Sequence, residues 1–501
     1  MKRFIALFPF LLVFQVQFAA VELSENCFKA YNSLFQYKLD DAQKFLNQEK
    51  RINPENCYIY FLENLADVTK SVVDGSEEAY DAYIQRFKER IAYIKDYEST
   101  DNKFYRVFLA EMNLQTTIIC GQHNDFINAG YYFYKSYVLA ENNIREYPDF
   151  IFNKKIKGIH ELMMSLIPPE YEPFFSFFGF SGDYQTGFDY INEYYEFGKR
   201  ESKFEVEAAL FKFLAVTQFG KDEFAPFRFI VDHGYHQTDT LTLNLAYILA
   251  LKQTGRTDKA LEVMRNKNVN YPAVDIPHLD YLQGSLLFCK LENDKAYFYL
   301  SRFLENYRSD HFVKHTYKKI AWYHYFNEDM IEYEHAVDMI HEKGKDLIEH
   351  DRLAVLEMPE PVELNPVLIK ARLLYDGGYY KQALDTLIQC IGRVEDLQKR
   401  FRVEYYYRLA RIYQRLDKIN ASKFNYEKVL AFSETFKQYF IPFSAYQLGL
   451  IAESRGDLQK ADDYFDQCLR LNQRGYKVSI ERKAKIARRR VRNAMYQSQQ
   501  P

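Results

Sequence analysis

A chain of 501 residues, 48% hydrophobic and 27% charged, can bury a large core and is too apolar for a disordered polymer. Only 19 Gly and 14 Pro are spread over it, too few for the dense turns of an all-β protein, so the composition points to helix. A formal charge of -3 and a pI near 6.5 give no overall reason to expect binding to nucleic acid or to an anionic membrane.

The chain begins with Lys2 and Arg3, an apolar run from Phe4 to Phe14, and then Ala19 and Ala20, which is the order of a secretory signal. Residues 1–20 are expected to be cleaved near Ala20, leaving a periplasmic or secreted protein. The run is short and holds Pro9, so no integral membrane span is expected. Two cysteines follow, Cys27 and Cys57, in similar ENC contexts near the starts of successive helices. Export would permit a disulfide between them, and the sequence leaves that open. Cys120, Cys390 and Cys468 read as small apolar core residues. The rest divides at two proline clusters, Pro168, Pro169 and Pro173, then Pro359, Pro361 and Pro366, which no helix interior would accept. They bound an N-terminal helical block (21–166), a central block (174–356) and a C-terminal block (363–475), followed by a basic segment (476–501). In that segment Ile480, Ala484, Ala487 and Val491 form one apolar stripe, as suits a helix covering the end of a stack.

One spacing recurs along the chain. A small residue is followed four positions later by a large apolar one: Ala42 with Leu46, Ala79 with Tyr83, Ala129 with Phe133, Gly187 with Ile191, Ala260 with Met264, Ala296 with Leu300, Ala383 with Leu387, Ser422 with Tyr426 and Ala461 with Phe465. Five before the small residue stands a turn-former (Asp74, Asn124, Gly182, Gly255, Gly378, Asp417, Gly456), with Tyr37 and Leu291 as exceptions. Twelve before it stands a second small or short residue (Ala30, Thr117, Gly284, Ala371, Ala410, Gly449), with Asp67, Phe175 and Ile248 as exceptions. Such a unit is a helical hairpin. Small residues on both helices let the backbones approach, the corner needs a residue tolerant of left-handed dihedrals, and the apolar residue one turn later fills the space beside the contact. In the last unit, Gly449 and Ala461 are expected to touch, with Phe465 packing into the next hairpin.

With Leu448 beside Gly449, and with Tyr406, Leu409, Ala410, Tyr413, Ser422 and Tyr426 in the unit before, the pattern resembles the tetratricopeptide repeat, about 34 residues of helix, turn and helix. The resemblance implies an all-α solenoid of degenerate stacked hairpins, elongated because each repeat contacts mainly its neighbours. A further segment, LMMSLIPPEYEPFFSFFGFSGDYQTGFDYI (162–191), resembles the central region of the tetratricopeptide repeat protein 39 and yeast inclusion-body-clearance family, in which a Pro-containing loop leads into a GF-x-GD corner.

The chemistry of known catalytic motifs is missing from the sequence. No phosphate loop, HExxH, GxSxG or paired CxxC occurs, and His233 with His236 lacks companion ligands, so neither catalytic residues nor a metal or cofactor are predicted. The working surface is then expected to be the concave groove that the resemblance implies. Its positions in the C-terminal repeats are Arg372 and Tyr375, Arg411 and Gln414, and Glu453, with Tyr407 and Tyr446 one turn earlier. Arginines beside tyrosines suit a protein or peptide partner. The alternative is a glycan-binding repeat protein of the cell envelope, which would depend on the tyrosines.

Overall fold

The computed structural model describes residues 23–97, 102–165, 167, 182–220, 222–266, 276–358, 363–389, 391–434, 438–471 and 477–498. These residues form helices and no β-strand. Antiparallel pairs follow one another: α1 (Glu25–Phe35) with α2 (Leu39–Ile52), α3 (Cys57–Asp74) with α4 (Glu77–Tyr97), and α5 (Lys103–Gln122) with α6 (Phe126–Glu146). Next come α7 (Ile151–Met164) with α8 (Tyr184–Arg200), α9 (Glu205–Phe219) with α10 (Ala225–Asp232), α11 (Leu241–Gln253) with α12 (Thr257–Asn266), α13 (Pro277–Cys289) with α14 (Asn293–Asn306), and α15 (Val313–Phe326) with α16 (Met330–Glu342). The single helix α17 (Glu349–Glu357) packs on α15. Three more pairs follow, α18 (Pro366–Asp376) with α19 (Tyr380–Ile388), α20 (Lys399–Arg415) with α21 (Ile419–Leu430), and α22 (Phe440–Ser454) with α23 (Leu458–Leu471), before α24 (Lys477–Ser498). The fold is the all-α solenoid of stacked hairpins that the repeat pattern predicts.

The hairpin corners show that geometry outranks residue type. Asn124, Gly255, Gly378, Asp417 and Gly456 all hold positive φ, as the turn position requires, and so do the two exceptions, Tyr37 (φ 55) and Leu291 (φ 61). At the second corner the left-handed residue is Gly75, one place after Asp74. A further corner at Glu328 (φ 59) belongs to α15–α16, a hairpin whose small reference residue is replaced by Tyr333. Its first helix keeps Ala321, fully buried, twelve places earlier. A left-handed non-glycine residue costs about 1 kcal/mol, which the packing of two helices outweighs.

The hairpin contact itself has a consistent form. A Cβ added at Gly449 would lie 2.5 Å from the ring of Phe465, and one at Gly284 would lie 2.8 Å from Leu300 Cγ. The large residue one turn after the reference therefore sits on the small residue of its own first helix. Phe465 also reaches the next element as expected, sharing a core cluster with Ala487 and Val491 of α24. In α7–α8 the partner of Ile191 is Gly158, 3.0 Å from a Cβ placed there. It lies outside the regular spacing because residues 165–182 are inserted between the two helices, which is why the pattern fails at Phe175.

The array doubles back on itself. Gln36 Oε1 accepts from the backbone N–H of Leu241 at 3.1 Å, and Tyr379 donates to Asp258 at 3.0 Å. Arg489 meets Asp183 at 3.4 Å and Arg482 donates to Gln218 at 3.2 Å, joining α24 to the central block across 306 and 264 residues of chain. At the tightest point the corners of α11–α12 and α18–α19 touch: a Cβ on Gly378 would lie 1.6 Å from the Gly255 carbonyl oxygen. Successive turns of the superhelix thus contact each other, beyond the nearest-neighbour stacking expected of an extended array.

Local details place the inner helices. Asn365 caps α18 by accepting from the N–H groups of Val367 and Leu368, both at 3.1 Å, and Pro366 occupies its first turn, where no N–H is missed. Asp351, wholly buried on α17, accepts from the backbone N–H groups of Phe312 and His315 at 2.6 and 2.8 Å and so caps α15 from a distance. On α24 the stripe Ile480, Ala484, Ala487 and Val491 is buried, while Arg488 and Arg492 pair with Asp462 at 2.9 and 2.8 Å. Cys27 and Cys57 are fully buried thiols with no disulfide between them, and Cys120 and Cys468 are likewise core residues. Residues 1–20, the cluster Pro168, Pro169 and Pro173, and Pro359, Pro361 and Cys390 lie outside the described residues. No helix among the described residues is long and apolar enough to cross a membrane.

Candidate functional site

Among the described residues, a recess of about 530 Å³ opens between the central and C-terminal hairpins. Its wall is built from successive first helices: α11 supplies Lys252, α13 supplies Ser285 and Cys289, α15 supplies His315, Lys318, Lys319 and Trp322, α18 supplies Arg372, Tyr375 and Asp376, and α20 supplies Arg411 and Arg415. Glu223, just before α10, and His350 of α17 also line it. Arg372 and Arg411 arrive together because each follows the small contact residue of its helix, Ala371 or Ala410, and turns away from the hairpin seam.

Six cations line this cavity against two carboxylates, Glu223 and Asp376, with a third, Glu357, at the adjoining recess. Glu357 binds Lys318 and Arg372, both at 2.8 Å. Burial alone would raise its pKa, yet the two cations outweigh burial and hold the carboxyl far below its usual range. Glu223 pairs with Arg415 at 2.6 Å. Asp376 stands loosely between Arg372 at 3.8 Å and Arg411 at 3.9 Å. Arg411 stacks over Tyr375, 4.0 Å from the ring centre, and Arg415 Nε donates to the Tyr375 hydroxyl at 3.3 Å.

Lys252 and Lys319 make neither hydrogen bond nor ion pair among the described residues. Lys319 is only 7% exposed. Burial pushes both down, Lys252 to about 8 with Lys319 adding to the drop, while neighbouring Arg372 works with burial on Lys319. The two histidines are held neutral: burial takes His350 to about 4 and His315 well below its ordinary value, with the surrounding lysines reinforcing both. The indole N–H of Trp322, itself 4% exposed, has no hydrogen-bond partner among the described residues. The site is therefore rich in donors and short of acceptors. No group of three or more metal-ligating side chains occurs among the described residues.

The residues named from sequence separate in space. Arg372, Tyr375 and Arg411 share the cavity wall. Tyr407 does not present an open ring: it is 1% exposed and packs on Phe440 with ring centres 4.9 Å apart, touching only a smaller neighbouring recess. Gln414 is occupied within the stack, accepting from Tyr426 at 2.8 Å and donating to Gln447 at 3.0 Å. Tyr446 packs against Phe465, and Glu453 is held by both arms of Arg490 at 2.7 and 2.6 Å. Lys252, Lys318, Lys319 and Trp322 were not singled out by sequence. The signal available was the Tyr333 hairpin, whose first helix runs KKIAW from Lys318 to Trp322 and places Trp322 in the same repeat position as Arg372 and Arg411.

Residues 403–436 and 444–474 match the family model of the tetratricopeptide repeat, and they coincide with α20–α21 and α22–α23. Solved structures similar to the chain include the TPR domain of P58(IPK), 14% identical over 88% of this chain and 99% of that one, with a TM-score of 0.23. Yeast Tom70 is 14% identical over 92% and 87% of the two chains (TM-score 0.23), and the APC/C hetero-tetramer Cut9–Hcn1 is 9% identical over 91% and 95% (TM-score 0.25). No curated protein matches the chain.

Proposed function

We propose that the protein is an exported scaffold without catalysis of its own, whose inner face binds a segment of a protein partner. The observation that carries this reading is the convergence of Arg372, Tyr375 and Arg411, from two successive hairpins, on one recess of about 530 Å³. Guanidinium forks held against an aromatic ring are preorganised for a carboxylate, so binding there orders few side chains. The glycan alternative draws no comparable support, since Tyr407 is packed in the core. The GFSGD corner at 179–183 is assigned by the same proposal to common ancestry with the tetratricopeptide repeat protein 39 family, without transfer of function.

Recovery of partners from an envelope fraction, with the native chain and with Arg372→Lys/Arg411→Lys as baits, tests the groove. The double variant keeps both charges and removes both forks, so it is expected to stay folded by circular dichroism and to lose the partner. A folded variant that recovers the same partner in the same amount would refute the assignment. Export is tested by N-terminal sequencing, which is expected to begin near Val21; intact Met1 on cytoplasmic protein would refute it.

A further inference from the structure

We infer that the basic cavity is a binding site for a compact, multivalent oxyanion, of the polyphosphate or polycarboxylate class. The inference deepens the reading of the inner face given above and rests on it for the identity of the working surface.

Three observations converge. The first is a charge surplus: Lys252, Lys318, Lys319, Arg372, Arg411 and Arg415 face Glu223, Asp376 and Glu357, and the carboxylates are already engaged by Lys318 and the arginines. The cations left over, Lys252 and Lys319, lie on different helices and repel one another in a desolvated setting. A structural ion-pair network would balance its charges. This one leaves two lysines with no counter-charge paired to them among the described residues, facing the rings of Tyr281 (5.4 Å) and Phe288 (5.7 Å), an arrangement that a bound anion relieves.

The second is donor excess. Trp322 Nε1 is a donor that cannot accept, and it is buried on the cavity wall without a partner among the described residues. Lys319, 7% exposed, offers further donors beside it, and the Nδ1 of neutral His315 is already engaged by the Tyr281 hydroxyl at 2.7 Å. An acceptor-rich group satisfies such a wall, and oxyanions are acceptors at every oxygen. The third is size. A cavity of about 530 Å³ falls in the range of small-molecule sites and is walled by five first helices, α11, α13, α15, α18 and α20, together with α17. It suits a ligand group whose negative charges are closely spaced.

Trp322 is the only tryptophan in the chain, so its fluorescence reports on this wall alone. Sodium tripolyphosphate and citrate are titrated into the full-length mature protein at constant ionic strength, followed by Trp322 fluorescence and calorimetry. Saturable binding with one site is expected, together with a rise in melting temperature. Lys319→Met is expected to weaken binding by about tenfold or more, while raising the melting temperature of the unliganded protein because a buried unpaired charge is gone. A residue with a merely structural role would move the second readout the other way. Should Lys319→Met not fold, half-buried Lys252→Gln gives the same comparison. A response to tripolyphosphate alone, or to citrate alone, supports the proposal and identifies the oxyanion group. The proposal is overturned if neither anion produces saturation, if chloride at matched ionic strength reproduces the signal, or if binding is unchanged in the lysine variants. It is also overturned if polyglutamate binds where both small anions fail, which would leave the peptide reading standing without it.

Discussion

Gly449→Ala tests the hairpin contact most sharply, because two effects of known size oppose each other there. In an exposed helix the change stabilises by about 1 kcal/mol, since glycine gives up more backbone freedom on folding. At this position the new Cβ would stand 2.5, 2.6 and 3.0 Å from three atoms of the Phe465 ring. The ring is fully buried among Ala452, Ala461, Ala487 and Val491 and cannot swing away. Restoring an ordinary carbon contact of about 3.5 Å requires α22 and α23 to part by about 1 Å, and overpacking of this kind costs about 1 to 3 kcal/mol. The net expectation is a loss of about 1 kcal/mol in urea unfolding followed by circular dichroism. A cycle with Phe465→Leu locates the cause: the two substitutions should couple by about 1 kcal/mol or more, because the shortened side chain makes room for the methyl group. Stabilisation of the single variant by the full helix-propensity gain, with no coupling in the cycle, would show that Phe465 does not rest on Gly449.

Gly378→Ala should be more damaging than its left-handed strain of about 1 kcal/mol, because the methyl group strikes the Gly255 carbonyl across the superhelix; Gly234→Ala, at φ 76 with nothing within 4 Å, is the strain-only control in the same thermal melt. Glu111 should subtract from stability as pH rises from about 4.5 to 7, against the opposite slope of His315 and His350, which burial keeps neutral in the folded chain while the unfolded chain protonates them below about 6.5. Burial pushes Glu111 up to about 7 despite the pull of Lys155, with Glu207 adding to the rise, so the folded chain keeps a proton that the unfolded chain has released. The slope for one such proton is about 1.4 kcal/mol per pH unit, and Glu111→Gln should remove it; an unchanged pH profile in that variant would place the titration elsewhere.

How much could be read from residues alone follows from what each feature depends on. Hairpins were legible wherever the packing demand is local, since Gly284, Gly449, Ala461 and their partners must be small or large for reasons set within one unit. Corners were legible only where the sequence chose the easy residue: Tyr37, Leu291 and Glu328 hold the same conformation because two packed helices impose it. The unit built on Tyr333 escaped notice for the same reason, its reference position being filled by a ring. Arg372, Tyr375 and Arg411 could be placed on one wall from the repeat register. Lys252 and Lys319 could not, because what sets them apart is the missing counter-charge, and that depends on elements brought together by the curvature of the whole array. Tyr407, Tyr446 and Glu453 share the repeat positions but differ in their neighbours, which the register does not specify.

The contact between the corners at Gly255 and Gly378, together with the reach of α24 to Asp183 and Gln218, changes how the chain must come to its native state. An open array can nucleate anywhere and lose repeats one at a time from its ends. Here α24 touches residues made some 300 positions earlier, so the contact order is raised and closure must wait until α24 has been made. Unfolding should accordingly gather the central and C-terminal hairpins into one cooperative unit, and trimming α24 should be felt at α8 and α9, far from the cut in sequence.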